Sequence, residues 1–333
     1  SSLQAGTLSL TSGTLTVNGD LTTSGSYNQS GGTLTGSGTL TLNNGADNTW
    51  SAGLITGSGQ LDIASGSTLN LDSGNTKYLG DRTITNNGTI NWNAGSIDHR
   101  GNGGVINNGL FDIKGDLGWG VEFVTNQNNY SHSFINNPGG TLRKSAGTGS
   151  ASLGNFIYGP YYDWFNTRYF NLTNNGTVDI QSGTLRLWGN TSTDNAGEFR
   201  LAGNTSLLLQ GGALNLLSPA SITGTGSIQV AGGALNLLDH RNISPDITYT
   251  VSAGALGFND TLNSYALNKP LTISGGSVTF ASNVDFAADI PIALSGGTLA
   301  FNGNATLSGP SGSYTQSGGT LTGSGTLTLN NGA

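Results

Sequence analysis

The heptapeptide GGALNLL fills residues 211–217 and returns letter for letter at residues 232–238. The interval is 232 − 211 = 21 residues, and other strings share it: TGSG at Thr35 returns at Thr56, and TNNG at Thr85 is echoed by INNG at Ile106. A fixed period near 20 residues is the mark of a solenoid rather than a sandwich, because each short unit buries its apolar face only by stacking on the next. Within the period, apolar and polar residues alternate. ALNL shares this alternation with GTLTL (38–42), GQLDI (59–63), STLNL (67–71), GTINW (88–92), GLFDI (109–113), GTVDI (176–180), GTLRL (183–187), GSIQV (226–230) and GSVTF (276–280). That is the period of a strand with one buried face. Gly, Asn, Ser and Thr interrupt every stretch before a helical stripe develops.

These features predict an all-β fold, a right-handed parallel β-helix of about 20–21 residues per coil. The hand follows from the right-handed crossover of parallel strands. Leu15, Leu34, Leu40, Leu42, Ile55, Leu61, Ile63, Leu69 and Leu71 are expected in interior ladders, with the intervening polar residues outward. The NNG strings at Asn43, Asn86, Asn107, Asn174 and Asn330 read as left-handed corners, which Asn and Gly accept. After Asn107 the corner returns late, at Asn136 and then Asn174, intervals of 136 − 107 = 29 and 174 − 136 = 38 residues. Loop insertions are therefore expected near 116–134 and 152–170.

Composition narrows the functional classes. Charged residues are 9% of the chain and 55 of 333 residues are glycine, so the surface is not that of an average globular domain. Hydrophobic residues at 35% with a net charge of only −7 argue for folding rather than disorder. Eleven Lys and Arg, scattered, make no phosphate-tracking patch, which argues against nucleic acid as a partner. There is no cysteine for disulfides or thiolate metal sites, and no apolar run suited to membrane insertion. Without methionine, Ser1 reads as an internal or processed start, and no signal segment opens the chain.

Strings such as NLTNNGTVDIQSGTLRLWGNTSTDNAGEFRLAGNTSLLLQGG (171–212) and ASITGTGSIQVAGGALNLL (220–238) resemble the β-strand-repeat passengers of large secreted bacterial surface proteins. These are the filamentous-haemagglutinin-like and autotransporter-like adhesins. The resemblance implies a parallel β-helix exported across a Gram-negative envelope and acting outside the cell, on the bacterial surface.

The second insertion is rich in aromatic side chains in a chain where they total 8%. A local mini-core is the economical account. The alternative is a platform of flat apolar faces with polar edges, suited to sugar rings or a neighbouring rod. Its candidate residues are Phe156, Tyr158, Tyr161, Tyr162, Trp164, Arg168 and Tyr169, so the partners expected are a glycan or lateral rod contacts.

Chemistry on a β-helix needs convergent carboxylates, or a base beside Arg or Lys. Asp62, Asp112 and Asp179 occupy outward strand slots, yet one outward Asp per coil reads as a solvated face. The tripeptide DHR, at Asp98 and Asp239, reads as a corner capped by side-chain hydrogen bonds. With three histidines and no HxxxH or GxSxG, no metal, cofactor or catalytic residue is assigned and no enzyme is expected. A β-helical polysaccharide-active enzyme, an ice-binding face and functional amyloid stand as alternatives to a structural, adhesive role.

The longest duplication is SGSYNQSGGTLTGSGTLTLNNGA (24–46), which reappears with one change, Asn28 against Thr315, at 311–333. The offset, 311 − 24 = 287, suggests one continuous β-solenoid over 1–333. In it, residues 24–310 form one tandem unit and 311–333 begin the next. Neighbouring copies joined end to end would make a stiff extracellular fibre.

Overall fold

The computed structural model describes residues 3–43, 45, 47–121, 131–156, 169–238, 243–259, 265–282 and 286–330. Every described strand pairing is parallel, no described residue is helical, and the chain forms a β-solenoid of about 13 turns with about 21 residues per coil. It divides into two compact units, 1–179 and 180–333.

In the first unit each coil contributes one short strand to each of three parallel sheets. Sheet A is built from Leu3–Ala5, Leu21–Thr23, Thr39–Leu42, Gln60–Ile63, Thr83–Asn86, Gly104–Asn107, Ser131–Asn136 and Tyr169–Asn174. Sheet B includes Leu8–Leu10, Tyr27–Gln29, Asp47–Trp50, Thr68–Leu71, Thr89–Trp92, Leu110–Lys114, Thr141–Ala146 and Thr177–Ile180. Sheet C runs from Thr14–Thr16 through Thr33–Thr35, Gly53–Ile55, Lys77–Leu79, Ile97–His99 and Gly118–Val121 to Ser150–Phe156.

The interval of 21 is the pairing register. Leu34 lies over Ile55, Thr85 over Ile106, and Leu214 over Leu235. Like residues therefore stack on like, and the predicted ladder residues Leu34, Leu40, Leu42, Ile55, Leu61, Ile63, Leu69 and Leu71 are all buried. Each such side chain contributes about 1.5–3 kcal/mol of transfer free energy. Leu15 is only half-buried, because in the first coil it is covered from one side alone, by Leu34.

In the second unit, long strands at Ser206–Leu216, Ser227–Leu237 and Thr248–Phe258 each make two straight runs, with a register shift at the bend. The bend carries the Gly-Gly of GGALNLL. Gly233 has φ +67, and a Cβ there would strike the Gly212 carbonyl oxygen of the coil below. Phe258, Phe280 and Phe301 stack in register, with ring centroids 4.4 and 5.0 Å apart.

The NNG strings at Asn86, Asn107 and Asn174 are not left-handed corners, since the only described non-glycine residues with positive φ are Ser73 and Asn204. Their first asparagines end the sheet A strands and point inward, fully buried. The Asn86 amide donates to Asn107 Oδ1 at 2.7 Å, Asn107 to Asn136 at 2.8 Å, and Asn136 to Asn174 at 2.8 Å. Each donor amide also reaches the first backbone carbonyl of the sheet B strand in the next coil, at Leu110, Thr141 and Thr177 respectively. The second asparagines form a parallel exposed ladder, Asn137 to Asn108 to Asn87 to Asp62. The glycine is required by close approach: a Cβ on Gly109 would strike the Gly88 carbonyl oxygen.

Between sheets B and C the last inward residue of the B strand does the same work. Gln29 donates to Gly32 O, Trp92 Nε1 to Gly95 O at 2.9 Å, and Lys144 Nζ to Ala146 O and Gly147 O. Where that slot holds Leu71, the first residue of the C strand, Lys77, substitutes. Its buried ammonium donates to the carbonyls of Ser73, Asn75 and Ala94 at 3.0–3.1 Å. Burial pulls its pKa down to about 8, with the Asp72 carboxylate opposing.

Replacing Asn107 by Ala deletes two rungs of the buried ladder and leaves the Asn136 side-chain oxygen unmet. Urea denaturation should show a loss of about 2–3 kcal/mol. Asn108→Ala, on the exposed ladder, should cost less than about 0.5 kcal/mol. Equal losses for the two variants would remove the buried ladder from this account.

Candidate functional site

Both insertions leave the same corner, the one where sheet C passes into sheet A. The residues between Val121 and Ser131 and between Phe156 and Tyr169 connect successive C and A strands there. The expected loops are thus narrower than 116–134 and 152–170, because Gly118–Val121, Ser131–Asn136, Ser150–Phe156 and Tyr169–Asn174 are strand. Alternation continues through GWG and SFIN, whose Trp119 and Phe134 face the interior and are buried. Of the seven platform candidates, Tyr158, Tyr161, Tyr162, Trp164 and Arg168 lie outside the described residues. Phe156 and Tyr169 lie in described strands, and their side chains likewise lie outside what is described.

Beneath this corner the interior is aromatic. The rings of His99 and His132 are fully buried and lie 4.0 Å apart, tilted by 32°. Trp119 packs against His99 at 6.1 Å, Phe111 at 6.0 Å, Phe134 at 6.2 Å and Phe170 at 5.5 Å. Edge-to-face pairs of this kind add to simple area burial. One coil outward, Arg100 lies 3.6 Å from the centre of the Tyr78 ring and 3.6 Å from Asp98 Oδ2. This is a cation–π contact joined to an ion pair.

The first DHR is therefore divided: Asp98 and Arg100 hold the outside of the corner, while the histidine turns into the core. The second, beginning at Asp239, lies outside the described residues. Earlier along the same corner, fully buried Arg82 donates to the carbonyls of Thr56 at 2.9 Å, Gly38 at 3.0 Å, Gln60 at 2.7 Å and Gly36 at 3.0 Å. One guanidinium ties three successive coils together.

The three outward aspartates do not converge. Asp62 is in sheet A, hydrogen-bonded to Asn87, and burial raises its pKa against that bond. Asp112 and Asp179 are in sheet B and are buried rather than solvated. The reason is Arg143, which lies across the face and donates to Asp112 Oδ2 at 2.8 Å. That hydrogen bond raises the arginine's pKa, and the Asp179 charge adds to it. Asp112 is thereby held as an ion-pair partner. Among the described residues no group of three or more His, Cys, Asp or Glu is placed to hold a metal ion.

The site as described is a cluster of buried aromatic rings with an ion pair at the corner where sheet C passes into sheet A. His132, Trp119 and Tyr78 were missed at the level of sequence. Their signal was phase: each sits one strand-slot from a residue whose direction the alternation assigns.

Burial, then the neighbouring His132, pushes the His99 pKa well below the ordinary histidine value, so the ring is neutral at pH 7; backbone groups of Gly103 and Gly80 act in the other direction. The unfolded chain takes up this proton near pH 6.5 and the folded chain does not. Stability is therefore retained above that pH and lost below it, by about 1.4 kcal/mol per pH unit for one group. Between pH 6.5 and 5 the fall in unfolding free energy should be shallower in His99→Phe than in the unchanged chain. Parallel slopes would mean that His99 is not excluded from protonation by the fold. No family model, no curated protein and no solved structure matches this chain.

Proposed function

We propose that this chain is a structural and adhesive segment of an extracellular fibre on a bacterial surface, lengthened by stacking coils of its own kind. The observation that carries this is the fate of the duplicated sequence. The described residues of the two copies, within 24–43 and 311–330, fold alike: Thr33–Thr35 corresponds to Thr320–Thr322, and strand continues at Thr39–Leu42 and Leu327–Asn330. Tyr27 donates to Gln29 Oε1 at 2.6 Å, as Tyr314 does to Gln316 at 2.9 Å, and each glutamine donates to the carbonyl three residues on. Gly32 and Gly319 share φ values of +62 and +71, Gly36 and Gly323 values of +108 and +121.

A coil that adopts one conformation upon two different neighbours is a modular building unit. The same economy supports a mechanical role, since the buried cations serve corners and most of the described carboxylates are bonded to neighbours. The resemblance to secreted surface passengers supports the extracellular setting.

Two and three linked copies of residues 24–310 should give particles whose contour length in electron micrographs grows by a constant increment of roughly 60 Å, the span of about twelve coils at ~4.8 Å each once the two insertions are set aside. Beads on flexible joints, without that increment, would overturn the fibre.

A second reading places the adhesive contact on the aromatic connection, because both insertions join sheet C to sheet A at the same corner and the second is rich in aromatic residues. In the paired variant Tyr162→Ala/Trp164→Ala, a platform loses polysaccharide or bundle binding at an unchanged melting temperature. A mini-core instead loses melting temperature.

A further inference from the structure

Where sheet C passes into sheet A, one position recurs in each coil, just before the paired residues of the A strand. Because Thr39, Gln60, Thr83, Gly104 and Ser133 lie in register, Gly38, Gly59, Arg82, Gly103 and His132 occupy it in turn. Arg82 fills it with a permanent cation, whose buried guanidinium donates to the carbonyls of Gly36, Gly38, Thr56 and Gln60. Two coils later His132 fills it with a group that is charged only in acid.

His132 does not stand alone there. His99, the last residue of the strand Ile97–His99, lies with its ring 4.0 Å from that of His132, and both side chains are fully buried. His99 sits between Leu79 and Val121 in sheet C, while His132 sits beside Phe170 in sheet A. The ring contact therefore joins two sheets and two coils. Trp119 packs on it at 6.1 Å from His99.

The charged groups of the surrounding described elements are engaged elsewhere. On the adjoining strand Lys77 is bound to the carbonyls of Ser73, Asn75 and Ala94, and Asp81 accepts the Asn102 N–H. Asp98 pairs with Arg100 on the outside of the corner, Asp112 with Arg143 and Asp116 with Lys144, while Lys114 is exposed. Among the described residues no carboxylate offsets the burial of His99, and the neighbouring His132 opposes its protonation. A proton placed on either ring creates a cation away from water, and two protons create cations that repel through a low-dielectric interior.

We propose that the His99–His132 pair is an acid-operated latch, which holds this corner closed while both rings are neutral and opens it locally when they gain protons. The closed form excludes the protons and the open form takes up as many as two. Opening therefore sets in as pH falls below the ordinary histidine value of about 6.5, and each further pH unit favours it by up to roughly a hundredfold. The Arg82 corner stays fastened, because its charge does not change over this range. The asparagine ladder from Asn86 to Asn174 contains no titratable group and keeps the passage from sheet A to sheet B in place. Acid thus exposes the rings packed on the pair without dissolving the coils before it.

The test is backbone amide exchange of the unchanged chain at about pH 7.5 and about pH 5, corrected for the intrinsic pH dependence of exchange. Protection at Ile97–His99 and Ser131–Asn136 should fall in acid by at least about tenfold relative to Gln60–Ile63 and Thr83–Asn86. The paired variant His99→Phe/His132→Phe keeps two rings in the core and should erase that difference. Should this variant not fold, the unchanged chain still decides. Protection that holds at both histidine strands in acid overturns the latch, and so does an equal loss at all four strands, which is global unfolding. A local response that survives in a folded paired variant assigns the opening to other groups and overturns it as well.

Discussion

Parallel coils meet their strand hydrogen bonds by stacking, but every corner turns backbone carbonyls toward an interior without water, and the fold depends on meeting them. A buried carbonyl without a donor costs about as much as a well-packed side chain gains. The interior of the first unit therefore carries donors at many of its corners. Asparagine amides serve the passage from sheet A to sheet B; Gln29, Lys77, Trp92 and Lys144 serve that from B to C. Arg82 serves that from C to A across three coils. Three of the chain's eleven Lys and Arg residues, Lys77, Arg82 and Lys144, are internal fasteners.

The same logic explains where the solenoid tolerates insertion. The corner between C and A carries the two long connections, and the coils beneath it are filled by Trp119, Phe134, Phe170 and the His99–His132 pair. Large rings pack the interior of these coils around a single centre, Trp119. The strands on either side of each insertion keep their register, Asn107 over Asn136 and Asn136 over Asn174, so additional residues leave the ladder intact.

Much of the architecture was legible because stacking converts a sequence interval into a spatial neighbour. GGALNLL lies over GGALNLL, and LTL, LDI and LNL send their apolar residues inward. What the pattern misjudged was the polar minority. Asn86, Asn107 and Asn174 were assigned to left-handed turns because Asn-Gly is turn chemistry, whereas they are amide rungs inside the core. Asp112 and Asp179 were assigned to solvent, because alternation gives direction only and does not show that Arg143 lies across them. The aromatic candidates from Phe156 to Tyr169 drew attention to one segment, while the inward Trp50, Trp92 and Trp119, each in a different coil and far apart in sequence, formed no visible cluster.

The sequence by itself determined the class of fold, the length of the coil, the inward apolar ladders and the positions where the repeat is interrupted. All of these follow from two periods, 2 and 21, that any single strand and its neighbour must obey. Only the tertiary structure decided which buried donors serve which corner and which histidine faces which ring. Those outcomes depend on side chains that meet groups from 2 to 46 positions away, with spacings that vary with each turn and insertion, and no period in the chain encodes them.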